Sequence, residues 1–126
     1  MNLPEHLRYT KDHEWIAVDG TRARIGTTDY AQDALGDVVY VDLPAAGTDV
    51  AGGDAISEVE STKSVSEIYA PLGGSIAAVN DELADAPERI NADPYGEGWL
   101  FEIELADADQ VSSLLDAAAY RALIEE

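Results

Sequence analysis

The sequence predicts a mainly β protein with short helices, organised as a β sandwich or barrel, and three observations carry that expectation. Short apolar or alternating runs recur along the chain, turn residues bound them, and only the last stretch sustains a helical period. The expected strands cover 14–18, 21–25, 38–43, 55–60, 65–69, 75–79 and 100–105. Breaks between them fall at Asp19-Gly20, Pro44 with Gly47, Gly52-Gly53, Pro71 with Gly73-Gly74, and Asp93-Pro94-Tyr95-Gly96, residues that turns favour for their φ preferences. A short helix is expected over 28–35, stopped by Gly36, and one or two helical turns over 81–90, where Pro87 suits a first turn. Over 109–126, Val111, Leu114, Leu115, Ala118, Ala122 and Leu123 follow the helical period, with Asp107 and Gln110 spaced like a capping box. That pattern predicts an amphipathic C-terminal helix packing on the sheet.

Length and composition bound the rest. A chain of 126 residues is expected to form one domain over 1–126, since a single core serves about 100 to 200 residues. A hydrophobic fraction of 46% belongs to a folding chain, not an acidic disordered tail. The formal charge of -19 comes from 26 acidic residues against 7 basic ones, and only Lys11 and Lys63 are lysines. The carboxylates are spread from Glu5 to Glu126, which reads as a solvated, halophilic surface that salt would screen. Nucleic acid is disfavoured, because its phosphates need clustered Lys and Arg. With no cysteine, disulfides, cysteine nucleophiles and thiolate metal sites are excluded together. No run of 18 apolar residues occurs, and Met1-Asn2-Leu3-Pro4-Glu5 has neither a charged leader nor an apolar core, so a cytoplasmic protein with no membrane association is expected.

The chemistry-bearing feature is Glu58-Val59-Glu60-Ser61-Thr62-Lys63-Ser64-Val65-Ser66-Glu67, one cation among carboxylates between two expected strands. If the strands pair, Ser61 to Ser64 form the turn and Lys63 is at the tip. Gly52 and Gly74 stand at equal distances on either side of Lys63, which suggests two similar half-units. A lysine kept in a chain that has so few is explained either by a salt bridge or by a chemical role. The small neighbours Ser61, Thr62 and Ser64 leave an amine there open to a modifying enzyme, and Glu60 and Glu67 offer recognition charges. An acyl chain on it would reach on the order of ten ångströms from the backbone, a swinging arm.

Catalytic readings fare poorly. His13 in His13-Glu14-Trp15 lacks the second histidine that a helical zinc site requires, and His6 has no evident partner. No Gly-x-Ser-x-Gly elbow and no phosphate-binding glycine loop occurs. A Schiff-base lysine needs a desolvated amine, whereas a hairpin tip is wet.

Assembled, these residues resemble the H-protein family of the glycine cleavage system from end to end. Tyr9-Thr10-Lys11-Asp12-His13-Glu14-Trp15 looks like the family's opening strand, and Ile25-Gly26-Thr27-Thr28-Asp29-Tyr30-Ala31-Gln32 like its next segment. Leu35-Gly36-Asp37-Val38-Val39-Tyr40-Val41-Asp42-Leu43-Pro44 follows in order, then Glu60-Ser61-Thr62-Lys63, then Ser66-Glu67-Ile68-Tyr69-Ala70-Pro71. Asn91-Ala92-Asp93-Pro94-Tyr95-Gly96-Glu97-Gly98-Trp99-Leu100 is similar to the late signature. Thr62 and Ser64 depart from the small apolar residues that commonly flank the family's lysine.

The resemblance implies the barrel-sandwich hybrid of lipoyl/biotinyl-like hammerhead domains, with short helices and a C-terminal amphipathic helix. It implies lipoate in amide linkage on Lys63 and a non-catalytic carrier role. The implied partners are a glycine decarboxylase that loads the aminomethyl group, an aminomethyltransferase that passes the one-carbon unit to tetrahydrofolate, and a dihydrolipoamide dehydrogenase that reoxidises the dithiol. A lipoate ligase or lipoyl transferase is implied for attachment, and a monomer is expected. Because the loaded arm bears an amine, a cleft lined by Glu14, Asp12 and Glu67, in segments read as neighbouring strands, is expected to hold it. Biotin is disfavoured because Met1 is the sole methionine, and with no Pro/Ala-rich linker in the sequence a stand-alone carrier is expected. The alternative is a lipoate-relay or interaction protein with the same fold.

Overall fold

The computed structural model describes residues 2–125, which form two antiparallel sheets. The larger runs in the order β1 (Arg8–Tyr9), β2 (Glu14–Asp19), β3 (Arg22–Thr27), β9 (Phe101–Leu105), β8 (Gly74–Val79) and β5 (Asp49–Val50). The smaller is β4 (Val38–Asp42), β6 (Ala55–Ser61) and β7 (Val65–Tyr69). Every expected strand forms; β1 and β5, two residues each, are too short for alternation to reveal. Ile16, Ile25 and Ile103 of one sheet and Val41, Val59 and Ile68 of the other are buried in one cluster, as expected of two half-apolar sheets facing each other.

Helix α1 (Asp29–Leu35) matches its expected span: the Thr28 hydroxyl accepts from the Ala31 amide as an N-cap, and Gly36 ends the helix at φ 81°. The 81–90 segment resolves into a 3-10 turn (Asp81–Ala84) and helix α2 (Arg89–Ala92), with Pro87 ahead of the helix, outside its first turn. Strands β6 and β7 pair as the expected hairpin, Glu60 opposite Val65. Strands β5 and β8 then pair outside it, Asp49 opposite Ser75, so the two glycine-bounded halves are matched about the hairpin.

The C-terminal expectation needs correction. One amphipathic helix is replaced by a 3-10 segment (Ala108–Ser113), an extended step, and helix α3 (Ala117–Ile124); Glu126 lies outside the described residues. In the step, Leu115 exchanges two backbone hydrogen bonds with Tyr9, at 2.8 and 2.9 Å, which a continuous helix would forfeit. Asp116 then caps α3, accepting from the Ala119 amide at 2.8 Å. Gln110 does not close a capping box: its side chain accepts from the Gly73 amide and donates to the Gly73 carbonyl. The buried face of α3 is Ala117 and Tyr120, whereas Ala118 is exposed and Leu123 is only partly covered. Ala117 and Tyr120 join Leu3, Leu7, Tyr9 and Trp15 in a second cluster on the other side of β1 and β2.

Candidate functional site

Lys63 stands in the turn of the β6–β7 hairpin and is exposed. The turn is built by Ser61, whose side chain is buried: its hydroxyl accepts from the Lys63 amide at 3.3 Å and the Ser64 amide at 3.1 Å while donating to the Ser64 carbonyl at 3.2 Å. One serine side chain thus takes up the polar groups that the turn leaves unpaired. The Thr62 amide donates to the Asp37 carbonyl at 3.1 Å, tying the tip to the loop after α1. That loop is held in turn by Asn91 on α2, which accepts from the Val38 amide and donates to the Gly36 carbonyl, both at 2.8 Å. A Cβ on Gly36 would come within 3.5 Å of Lys63 Cε, so the lysine stem passes over bare backbone. Among the described residues Lys63 has no ion-pair partner, although Glu60 and Glu67 are close in sequence, which removes the salt-bridge reading.

A groove of about 280 Å³ opens beside the tip. One wall is Ser64, Val65, Ser66 and Ile68; the opposite wall is Tyr30, Ala31, Ala34 and Leu35 of α1, and Asp12, His13 and Thr27 close the end. Thr27 lines the groove, and its hydroxyl is buried without a hydrogen-bond partner among the described residues. An unpaired buried hydroxyl is costly. His13 takes φ 68°, a left-handed backbone for a residue with a side chain.

The three carboxylates expected to form an arm cleft are placed unequally. Asp12 is exposed and lines the groove. Glu14 is buried, because alternation along β2 turns it inward on the same side as Ile16 while Trp15 faces the second cluster. Its carboxylate accepts from the Tyr69 amide at 2.8 Å and from the Thr10 hydroxyl at 3.2 Å, so it covers the open edge of β7. It lines an adjoining pocket of about 370 Å³ with Tyr9, Thr10, Asp12, Ala70 and Leu115. Burial pushes its carboxyl up to about 8, against the opposing hydrogen bonds from Tyr69 and Thr10. Glu67 is exposed, accepts from the Tyr69 hydroxyl at 3.0 Å, and lines neither pocket. The expectation that β2 and β7 are neighbouring strands is corrected: they lie in different sheets and meet through the bond from the Tyr69 amide to Glu14.

Sequence reasoning passes over Asn91, Thr27, Tyr30 and Tyr120. Asn91, Thr27 and Tyr30 fall within the motifs quoted above, but motif membership does not reveal which atom they hold. Tyr120 carries a weak signal as an aromatic on the C-terminal segment, where the apolar period favours Leu and Ala positions as the buried face.

Comparison with known proteins decides the family. Residues 7–126 match the family model described as Glycine cleavage H-protein. The chain belongs to that family. Its function is therefore the family's, that of the lipoyl carrier in the glycine cleavage system. A glycine cleavage system H protein of Nocardia farcinica is 60% identical over 126 residues, covering 96% of each chain. One from Micrococcus luteus is 60% identical over 121 residues, 94% of each. The crystal structure of a glycine cleavage system H protein from Mycobacterium marinum superposes with a TM-score of 0.90 at 41% identity, covering 98% of this chain and 100% of that one. H-protein architecture thus extends through both sheets and α3, and the hairpin presenting Lys63 lies within the matched span.

Proposed function

We propose that Lys63 is the residue that carries lipoate, and that the groove beside it receives the arm between encounters with partner enzymes. The observation that carries the reading is an exposed lysine with no ion-pair partner among the described residues, on a braced hairpin tip, opening onto a groove between the hairpin and α1. In amide linkage on Lys63, lipoate would supply the disulfide that takes up the aminomethyl group and is then reoxidised. The chain itself supplies position: Ser61 and Asp37 hold the tip, and Gly36 leaves clearance for the stem. The chain is read as a non-catalytic component. Its partners are a glycine decarboxylase, an aminomethyltransferase, a dihydrolipoamide dehydrogenase and the enzyme that attaches lipoate.

Of the residues around the arm, Glu60, Ser61, Thr62 and Ser64 frame the attachment turn. Asp12 offers a carboxylate to an amine at the groove, and Glu14, whose carboxyl burial keeps largely protonated below about pH 8, offers a hydrogen-bonding carboxyl in the wall of the adjoining pocket. Glu67 acts at one remove by holding Tyr69. Loaded protein carrying Glu14→Ala is expected to lose its one-carbon unit to water faster than the parent; equal rates would remove Glu14 from the arm site. The uniformly acidic surface is read as adaptation to a salty cytoplasm. No helix among the described residues is long and apolar enough to cross a membrane.

Intact mass and peptide mapping of protein from its native cells test the assignment. A lipoyl-sized increment on Lys63, abolished in Lys63→Arg, is expected. A bare Lys63 in cells that degrade glycine and lipoylate other proteins would overturn it and favour an interaction role. Glycine-dependent turnover with the partner enzymes then separates the carrier from a lipoate relay.

A further inference from the structure

Behind the groove, one buried hydroxyl joins three elements. Tyr120 of α3 is fully buried and stacked on Tyr9, with ring centroids 4.8 Å apart and planes 9° from parallel. Its hydroxyl lies 2.8 Å from Thr28 Oγ1 and 2.8 Å from His13 Nδ1. His13 and Thr28 are also joined through the backbone, the Thr28 amide donating to the His13 carbonyl at 3.1 Å. The same hydroxyl therefore touches the N-cap of α1, whose side chains form one wall of the groove, and the histidine at the groove's end.

The direction of these bonds follows from counting protons. Thr28 is fully buried, and its oxygen already accepts from the Ala31 amide at 3.1 Å. Among the described residues the Tyr120 oxygen is the one acceptor within reach of the Thr28 proton, so Thr28 donates to Tyr120. The Tyr120 proton is equally shut off from water and has His13 Nδ1 as its acceptor. A proton on Nδ1 would reverse that bond and strand a hydroxyl proton in the core, unpaired and away from water. The imidazole proton is thereby placed on Nε2, the ring nitrogen for which no protein hydrogen bond is found among the described residues.

We propose that Tyr120 is a positioning residue that fixes His13 as its neutral Nε2–H tautomer, so that the end of the groove presents a hydrogen-bond donor to an acceptor carried on an acyl arm at Lys63. The inference rests on the arm reading above but makes a claim that can be checked without an arm. Desolvation lowers the His13 pKa, against the opposing charge of Asp12, which agrees with a neutral ring. Around the ring stand Asp12 on its own turn, Tyr30 of α1 with its centroid 4.8 Å away, and Tyr120 of α3. The left-handed backbone at His13 is held by bonds from its own amide to the Thr10 carbonyl and from the Thr28 amide to its carbonyl, so the backbone that carries the ring is fixed on both sides.

Nitrogen-15 NMR of the imidazoles in the full chain tests this, with His6→Gln to assign the signals. The unmodified protein at neutral pH is expected to show His13 with a protonated Nε2 and a bare, accepting Nδ1. Tyr120→Phe keeps the ring stack and removes the hydroxyl; it should give a mixture of tautomers. Attachment of an arm should shift the Nε2–H resonance. Octanoylated Lys63 has the amide but no sulfur, so a shift with both octanoyl and lipoyl arms assigns the acceptor to the amide oxygen, and a shift with lipoyl alone assigns it to sulfur. In His13→Asn, an amide oxygen can replace Nδ1 toward Tyr120 while the donor at the Nε2 position is gone, and asparagine tolerates the left-handed backbone. Loaded protein with that change should lose its one-carbon unit about 3- to 10-fold faster, the effect of one neutral hydrogen bond, and Tyr120→Phe, which leaves part of the tautomer mixture with its donor, should give a smaller increase. An Nδ1–H tautomer or a charged ring in the unmodified protein would overturn the proposal. So would a His13 signal indifferent to both arms on protein whose mass shows full modification. Failure of the carrier reading looks different, as a Lys63 that never becomes lipoylated.

Discussion

Glu14 shows how one residue's environment sets a property that its neighbours in sequence do not announce. The strand alternation that buries Ile16 also buries this carboxyl, and two donors, the Tyr69 amide and the Thr10 hydroxyl, make that burial tolerable. Its pKa is raised from 4.5 to about 8, with desolvation the leading cause. The folded state therefore holds a proton that the unfolded chain has released, and the sign of the linkage follows. Glu14's contribution is fully present below pH 4.5 and is lost progressively as pH rises toward 8. The slope is at most about 1.4 kcal/mol per pH unit for one proton. Denaturant unfolding of the parent and Glu14→Gln between pH 5 and pH 8 checks this: the parent is expected to lose stability relative to the variant as pH rises. A constant difference between the two would mean that Glu14 ionises normally despite its burial.

At the scale of elements, β2 and β3 are positioned by a contact between a glycine and a ring. Gly26 has an ordinary strand backbone, so no φ requirement explains it; Trp15, its cross-strand partner, does. A Cβ at position 26 would lie 2.6 Å from the indole, which also donates from Nε1 to the Pro94 carbonyl at 2.8 Å. Gly26→Ala is expected to cost about 1 to 3 kcal/mol by overpacking, read as a lower urea midpoint with an unchanged m-value. An unaltered midpoint would show that the ring can move aside without penalty. Much at this scale is legible in the sequence, because alternation, turn residues and the Thr28 and Gly36 caps are local signals that agree with the final packing. The C-terminal segment is misread because its apolar spacing suits a helix equally well, while the deciding partner, the backbone of Tyr9, is more than a hundred residues away. The site divides the same way. Lys63 and its turn are contiguous and readable, whereas the Tyr120–Thr28–His13 chain joins three elements that only the tertiary fold brings together.

For the whole molecule, charge outweighs any single contact. With a formal charge of -19 and 7 basic residues, relief is local: Arg22, Arg24 and Arg89 each pair with glutamates, Arg22 and Arg24 on the outer face of the larger sheet. Among the described residues the smaller sheet has no such ion pair on its exposed face, where Asp42, Glu58 and Glu67 stand directly opposite one another across β4, β6 and β7. Like charges in direct cross-strand register are destabilising, and here they flank the hairpin that presents Lys63. Screening should therefore stabilise the fold, and most steeply at low salt, since the Debye length falls from about 10 Å at 0.1 M to about 3 Å at 1 M. The thermal midpoint is expected to rise with potassium chloride and to level off as screening saturates. Glu58→Gln, which removes the middle charge of the row, should raise the midpoint at low salt and lose its advantage at high salt. A steady rise without a plateau, the same for parent and variant, would instead assign the effect to solute exclusion from the surface, which acts on any protein regardless of where its charges lie.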